Sequence, residues 1–257
     1  MPIDFEVSQG IATITINRPE RRNALDAEHY KLLSAAWQRV RDETEIRVAI
    51  VTGAGDKAFC AGADIKSFVG REQELSELWL TQKDPLLNRG LEIWKPVIAA
   101  VNGFCVGGGM TLLLGTDLRV AATGASFGLA EVKRGIIAAN GGTQRVMKQL
   151  PYAVAMEMLL LGERIDAETA ARWGLINRVV SAEALLQTAR DMALQIAENA
   201  PLAVQAAKEL AVRSQDMDLA SGLRMEQLVN RILHHSEDTK TAKAAFAEKR
   251  KPSFRGR

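Results

Sequence analysis

Residues 95–122 read KPVIAAVNGFCVGGGMTLLLGTDLRVAA, and this stretch decides the fold. The run Val97–Val101 is short, apolar and bounded by Pro96 and Asn102, which is typical of a fully buried strand. Three consecutive glycines follow, then an apolar helical segment, and Leu118–Ala121 predicts a second strand. A strand, a glycine turn, a helix and another strand in succession indicate an α/β architecture with largely parallel strand pairing.

The rest of the chain extends this pattern on both sides. Strands are predicted over Ile3–Val7, Ile11–Asn17 and Val48–Thr52, and Asp26 is placed to cap a helix that follows it. Residues 72–94 are also predicted to be mostly helical, with an interruption near Asp84-Pro85. Strands and helices therefore alternate through the first two thirds of the chain.

Beyond Ala182 the sequence predicts helices alone, and its composition shifts near residue 195. We therefore divide the chain into a core, residues 1–195, and a C-terminal helical segment, residues 196–257. A chain of 257 residues can bury a core of the required size.

Charge and composition argue against several classes of protein. A net charge of +2, from 33 basic and 31 acidic residues, lacks the basic excess of a nucleic-acid-binding protein. Cys60 and Cys105 are isolated, so neither a zinc site nor a disulfide framework is predicted, and a reducing compartment, the cytoplasm, fits best. The first residues lack the basic leader and apolar run of a signal peptide. Val97–Gly115 is nearly uncharged, but its five glycines favour a buried strand, loop and helix over a membrane span.

Two small-residue loops could bind a developing negative charge. The triplet Gly107-Gly108-Gly109 exposes backbone N–H groups at the start of a helix, although a tight strand-to-helix turn would have the same sequence. The loop Cys60-Ala61-Gly62-Ala63-Asp64 follows another strand, and two such loops can direct two donors at one oxygen. Residues 53–58 also fit the glycine pattern of a dinucleotide site, but no helix is predicted to follow them.

Glu131 is the candidate acid or base. It follows the mostly apolar run Ser126–Ala130, and burial in such surroundings would raise its pKa and suit it to proton transfer at carbon. The alternative is an exposed glutamate paired with Lys133 or Arg134. The three histidines are not placed for catalysis: His29 lies in the first turn of a helix, and His234 and His235 are adjacent, so they cannot share a helix face.

Together, the glycine triplet, the Cys60–Ile65 loop and the segment from Phe127 to Arg145 resemble the crotonase, or enoyl-CoA hydratase/isomerase, family. The resemblance runs from Ile11 to about Phe254. It implies a crotonase spiral of ββα units followed by a C-terminal helical segment for oligomerisation, in a homotrimer or a dimer of trimers. It also implies an acyl-CoA substrate whose thioester oxygen is bound by the backbone N–H groups of Ala63 and Gly108.

Thr111 is the departure from that family's hydratases, which use two glutamates. Glu131 matches the second glutamate, and Thr111 stands at the position of the first. A threonine hydroxyl forms hydrogen bonds but is no general base at neutral pH. One carboxylate can still shift a double bond between two carbons, or hydrate a substrate that activates its own electrophilic carbon, as family members acting on aromatic enoyl thioesters do. Both reactions stay open.

The resemblance also implies how CoA is bound. The segment Arg18–Leu25 resembles the CoA entry loop, and the tail Ala245–Pro252 resembles one that contacts the CoA of a neighbouring subunit. The implied binding residues are Arg21, Arg22, Ala24, Ala61, Asp64, Ile65, Phe246 and Lys249. CoA is then part of the substrate, and no metal, flavin or nicotinamide is required. Two alternatives use the same scaffold: thioester hydrolysis or C–C cleavage, and a non-catalytic CoA-binding protein.

Overall fold

A computed structural model describes residues 1–68 and 84–257 of the chain. Its ten strands are β1 Ile3–Ser8, β2 Ile11–Ile16, β3 Val48–Gly53, β4 Ala58–Cys60, β5 Val97–Val101, β6 Phe104–Val106, β7 Leu118–Ala122, β8 Ser126–Gly128, β9 Ile165–Asp166 and β10 Arg178–Val180. The α-helices among the described residues are α1 Ala27–Asp42, α2 Ile65–Phe68, α3 Gly108–Leu113, α4 Gly142–Gln149, α5 Tyr152–Leu161, α6 Ala167–Arg172, α7 Leu185–Ala197, α8 Pro201–Arg213, α9 Leu219–His234 and α10 Glu237–Ala247. Short 3₁₀ helices span Pro19–Arg21, Glu131–Arg134 and Ser214–Asp216.

The strands form two sheets, and from β3 to β8 consecutive strands alternate between them. The larger sheet has the order β1-β2-β3-β5-β7-β10 and the smaller the order β4-β6-β8-β9. Pairing is parallel except at β1–β2 and β8–β9. Each pair β3–β4, β5–β6 and β7–β8 therefore contributes one strand to each sheet, which confirms the predicted spiral of repeating turns and the α/β class.

The central strands of the larger sheet are apolar because both of their faces are covered. Every residue of β3 and β5 is buried. One face packs in the main core with α1, whose Leu33, Trp37 and Val40 are fully buried, and the other packs under α7. Strands buried on both faces read as continuous apolar runs, which is why these two were predictable from sequence.

The predicted helix over residues 72–94 is wrong over the part that the structure describes. Residues 84–94 contain bridges and turns but no helix, and residues 69–83 lie outside the described residues. Asp84 and Gly90 have positive φ angles of 52° and 73°, which a helix does not allow. The apolar residues that suggested a helix, among them Leu86 and Leu91, belong instead to an irregular segment whose side chains are buried individually in the core.

The C-terminal helices are attached to the core by polar contacts. Lys208 of α8 forms an ion pair with Asp117 at 2.7 Å and donates to the Lys95 carbonyl, and Arg47 donates to the carbonyls of Ala197 and Phe254. The boundary predicted at residue 195 falls in the last turn of α7, which packs on the larger sheet. The division into two parts stays a prediction. No helix among the described residues is long and apolar enough to cross a membrane.

Candidate active site

The glycine triplet forms the sharp turn that was predicted between β6 and α3. Gly107 caps α3 with φ 55° and ψ −123°, a conformation that favours glycine, and its carbonyl accepts a hydrogen bond from the Thr111 N–H at 3.0 Å. A side-chain carbon at Gly109 would overlap the Cys60 carbonyl oxygen. The Gly108 N–H lies in the first turn of α3, where a helix offers no acceptor, and it has none elsewhere among the described residues.

The second loop runs beside the first and also presents a free donor. Leu25 pairs with Ala63 in a parallel bridge: its N–H donates to the Gly62 carbonyl at 2.8 Å, and its carbonyl accepts from the Asp64 N–H at 2.9 Å. Leu25 thus bonds to the residues before and after Ala63, and the N–H of Ala63 itself points away from Leu25. The Ala63 N–H accordingly finds no acceptor in the part of the chain that the structure describes.

The two loops are packed closely enough to act on one atom. A methyl carbon added to Gly108 would lie 3.4 Å from the Ala63 nitrogen, and one added to Gly62 would lie 2.8 Å from the Gly108 nitrogen. Two unpaired N–H groups on adjacent loops form an arrangement suited to binding an oxyanion. The predicted pair, Ala63 and Gly108, is thus brought together.

Glu131 opens the 3₁₀ helix after β8 and points its carboxylate toward the glycine turn. A methyl carbon added at Gly107 would lie 3.7 Å from Glu131 Oε1. Glu131 Oε2 is buried and has no hydrogen-bond partner among the described residues. Burial raises the pKa of this carboxyl, and its own backbone N–H and Arg134 act in the opposite direction with less effect. The alternative pairing with Lys133 is not found, because Lys133 instead contacts Glu163.

Thr111 is buried, with its hydroxyl engaged on both sides. The hydroxyl donates to the Gly108 carbonyl at 3.0 Å and accepts from the Asn88 side-chain nitrogen at 3.1 Å. Its methyl group faces Gly142, where an added carbon would lie 2.9 Å from Thr111 Cγ2 and 3.0 Å from Ala138 Cβ. Thr111 therefore contributes a neutral side chain whose hydroxyl has one donor and one acceptor as partners.

The residues expected to bind CoA fall into two groups. Arg21, Arg22 and Ile65 are exposed, and Arg22 lies over the Phe104 ring at 5.5 Å, so their side chains are open to a ligand. Ala24 and Ala61 are engaged through their backbones, with the Ala24 carbonyl accepting from Arg18 and the Ala61 N–H donating to the Arg22 carbonyl.

Asp64, also expected to bind CoA, forms an ion pair with Arg18 at 2.9 Å, which fixes its loop to the entry loop. Phe246, at the end of α10, is 89% exposed, and Lys249 follows it with φ 52°. Phe246 and Lys249 are open at the surface, as residues that reach a neighbouring subunit would be.

Sequence reasoning missed three residues that shape the site: Arg18, Asn23 and Asn88. Asn23 is fully buried with φ 56°, and its amide nitrogen donates to the carbonyls of Ala54 and Ala58 at 3.0 and 2.6 Å. These bonds hold the entry loop against the connection between β3 and β4, just before the second loop. An asparagine between polar turn residues predicts only a turn, so no signal in the sequence distinguishes this role.

The cysteines and histidines are not part of the site. Burial raises the pKa of Cys60 to about 12 and that of Cys105 well above its usual value, so neither thiol ionises near neutral pH. His29 contacts the Asp26 cap of α1 at 2.7 Å, and no group of His, Cys, Asp and Glu within residues 1–68 and 84–257 is arranged to hold a metal ion.

This constellation lies in a chain that belongs to the enoyl-CoA hydratase/isomerase family, whose sequence model matches residues 6–257. It is 46% identical over 256 residues to the (E)-benzylidenesuccinyl-CoA hydratase of Thauera aromatica, with both chains covered completely. It is 40% identical over 252 residues to the carnitinyl-CoA dehydratase of Proteus mirabilis, covering 96% of this chain and 95% of that one. The crystal structure of an enoyl-CoA hydratase from Bacillus anthracis matches it with a TM-score of 0.92, at 36% identity and complete coverage of both chains.

Proposed function

We propose that this protein catalyses the reversible addition of water to the double bond of an enoyl-CoA thioester, using Glu131 as its one acid/base. One observation carries the proposal. Glu131 has a buried carboxylate oxygen without a partner among the described residues, and its carboxylate lies beside the glycine turn. That turn contains Gly108, which has one of the two unpaired N–H groups. An enolate needs these two elements, a proton carrier at carbon and donors for its oxygen.

The Ala63 and Gly108 N–H groups would bind the thioester oxygen. As water adds at C3, electrons move through the double bond to this oxygen, and the resulting charge is stabilised by donors that are already fixed in place. One such donor is worth about 3–4 kcal/mol of barrier. The Leu25 bridge and the cap of α3 hold the donors before the substrate arrives.

Glu131 would perform both proton transfers. Its carboxylate takes a proton from water as the C3–O bond forms, and the carboxylic acid then delivers that proton to C2 of the enolate. The sum is one water added, with Glu131 returned to its starting state. Thr111 cannot share this work, because its hydroxyl is far too weak a base to take a proton at neutral pH and its own proton is already donated to the Gly108 carbonyl.

The two named relatives favour water chemistry over a double-bond shift, since one is a hydratase and the other a dehydratase. A site with one carboxylate is best served by a substrate whose C3 is already electrophilic. A 3-aryl-enoyl-CoA meets this condition, and it is the substrate class that we would test first.

CoA would lie across the entry loop. Arg21 and Arg22 are exposed cations suited to its phosphates, Ala24, Ala61, Asp64 and Ile65 belong to the two loops that flank it, and Phe246 and Lys249 would reach the nucleotide held by a neighbouring subunit. This arrangement needs a neighbouring subunit, which the proposed homotrimer or dimer of trimers would supply. CoA enters as part of the substrate, with no separate cofactor.

The test is product analysis in heavy water. The purified protein is incubated in D₂O with 2-enoyl-CoA, 3-enoyl-CoA and 3-aryl-2-enoyl-CoA thioesters, and products are identified by mass. We expect the 2-enoyl substrates to gain one water, with deuterium at C2, and we expect Glu131→Gln to abolish the reaction. Glu157→Gln is the matched control, because Glu157 is exposed on α5.

The other outcomes each overturn the proposal in a different direction. A shifted double bond without added water would indicate an isomerase that uses Glu131. Release of free CoA thiol would indicate hydrolysis, and a shortened acyl group would indicate C–C cleavage. CoA binding without any reaction would indicate a non-catalytic member of the family.

A further inference from the structure

Asn88 is a buried side chain next to the candidate site that the mechanism has not used. It lies in the irregular segment between residues 84 and 96 and is 6% exposed. Its backbone is fixed, because its carbonyl accepts from Arg145 Nη1 at 2.9 Å. A buried amide at a fixed position is expected to have all of its polar atoms paired.

The hydrogen bonds of Thr111 determine which way the Asn88 amide faces. A hydroxyl has one proton, and that of Thr111 is donated to the Gly108 carbonyl. The atom of Asn88 that meets this hydroxyl must therefore be the donating nitrogen, as the 3.1 Å contact from Nδ2 shows. Asn88 Oδ1 is then turned elsewhere, and it is buried with no donor among the described residues.

Two buried oxygens on residues that pack against α3 or its cap thus lack donors among the described residues: Asn88 Oδ1 and Glu131 Oε2. Asn88 contacts Thr111 of this helix, and Glu131 approaches Gly107, its cap. A water molecule has two protons to donate, which is what two such acceptors require. A buried acceptor without a donor is destabilising, so the two oxygens favour the binding of a molecule that donates hydrogen bonds to them.

We infer that Asn88 Oδ1 holds the reacting water, taking over the orienting part of the role that the absent glutamate has in two-glutamate hydratases. The water donates one proton to Asn88 Oδ1 and the other to Glu131, which accepts it as the C3–O bond forms. Asn88 is neutral and stays so; Thr111 sets its orientation. This inference rests on the proposed hydration.

The inference separates two activities that share Glu131. Hydration needs both Glu131 and an oriented water, whereas exchange of the C2 proton of a saturated acyl-CoA with D₂O needs only Glu131 and the two N–H donors. Asn88→Leu keeps the side-chain size but removes the acceptor. We expect it to lower kcat for hydration by about tenfold or more, the kinetic equivalent of one hydrogen bond, with KM and the exchange rate changed less than about threefold.

Two further variants keep the test decisive if Asn88→Leu folds poorly. Asn88→Asp retains an acceptor oxygen, and we expect it to hydrate faster than Asn88→Leu. Asn102→Leu is the matched control, since Asn102 also has a buried unpartnered Oδ1 but lies at the far end of β6 from Gly107. We expect it to leave the ratio of hydration to exchange unchanged.

An unchanged ratio in Asn88→Leu would overturn the inference, whether both rates fell or neither did, because a purely structural role affects both activities alike. An Asn88→Asp variant that hydrates the substrate no faster than the Asn88→Leu variant would also overturn the inference. A wild-type protein that exchanges the C2 proton but adds no water would instead refute the proposed hydratase function, so the two failures are distinguishable.

Discussion

Glu131 is a carboxyl whose position makes its ionised form costly to the folded protein. It is half-buried, Oε2 has no partner within the described parts of the chain, and burial raises its pKa above the ordinary 4.5. A raised pKa brings the acid closer to the working pH, where a group that both accepts and donates protons is most effective. In the proposed role of Glu131, catalysis and stability are therefore opposed at this residue.

This opposition predicts a pH-dependent gain in stability for Glu131→Gln. Ionisation of Glu131 costs the fold nothing below the unfolded-state pKa, an increasing amount as the pH rises toward the higher folded-state pKa, and a constant amount above it. Removing the charge removes that cost. We expect the free energy of unfolding of Glu131→Gln, relative to wild type, to rise with pH from about pH 4 and to level off above the raised folded-state pKa of Glu131.

Urea unfolding at a series of pH values measures this difference, and activity in the same samples should be at least about 100-fold below wild type. Glu157→Gln should show neither effect. A difference in stability that does not vary with pH would contradict the interpretation of Glu131.

Among the secondary-structure elements, the two donor loops depend on tight backbone contact. Gly62 has a φ of 89°, and a methyl group there would press on the Gly108 nitrogen at 2.8 Å. Gly174 has a similar φ of 79° but open space around it. Comparing alanine at these two positions separates backbone strain from damage to the oxyanion site.

We expect both Gly62→Ala and Gly174→Ala to lose about 1–2 kcal/mol of stability from the left-handed backbone. Only Gly62→Ala should lose activity, by about 10²–10³-fold in kcat, the usual effect of removing one oxyanion donor. Chemical denaturation and steady-state kinetics give the two quantities. Equal kcat values in the two variants would argue against a donor role for Gly108.

The sequence predicted the elements of this site better than the contacts between them. Continuous apolar runs indicated β3 and β5, and Asp26 was predicted as the cap of α1, where it accepts from the His29 N–H. The Asn88–Thr111 pair was not predictable, because a contact between an irregular segment and a helix has no periodic signal. The apolar residues within 84–94 even favoured a helix. They are buried by contacts with distant parts of the chain, and such residues have the same composition as the buried face of a helix.

Among the contacts that join α8 to the core, one is a partly buried ion pair. Lys208 is 11% exposed and contacts Asp117, whose pKa burial raises and Lys208 lowers. Asp117 also accepts from the Val97 N–H at the start of β5. Removing the cation would leave a largely buried carboxylate with less compensation.

Lys208→Met should therefore cost about 1–3 kcal/mol of unfolding free energy. Lys251→Met is the control, because its pair with Glu198 is largely exposed, and we expect a change below about 0.5 kcal/mol. Thermal and urea unfolding of both variants provide the comparison. Equal losses would show that Lys208 does not have this attaching role.

The alternation of strands between two sheets also sets the order in which the site can be made. Ala63, Gly108 and Glu131 follow β4, β6 and β8, so each belongs to a different turn of the spiral. During synthesis the N-terminal end emerges first, and the donors appear before the carboxylate. On the proposed mechanism, a nascent chain that ended before Glu131 would contain both loops and still lack the group that moves the proton, so synthesis must pass the third of these turns before the proposed reaction is possible.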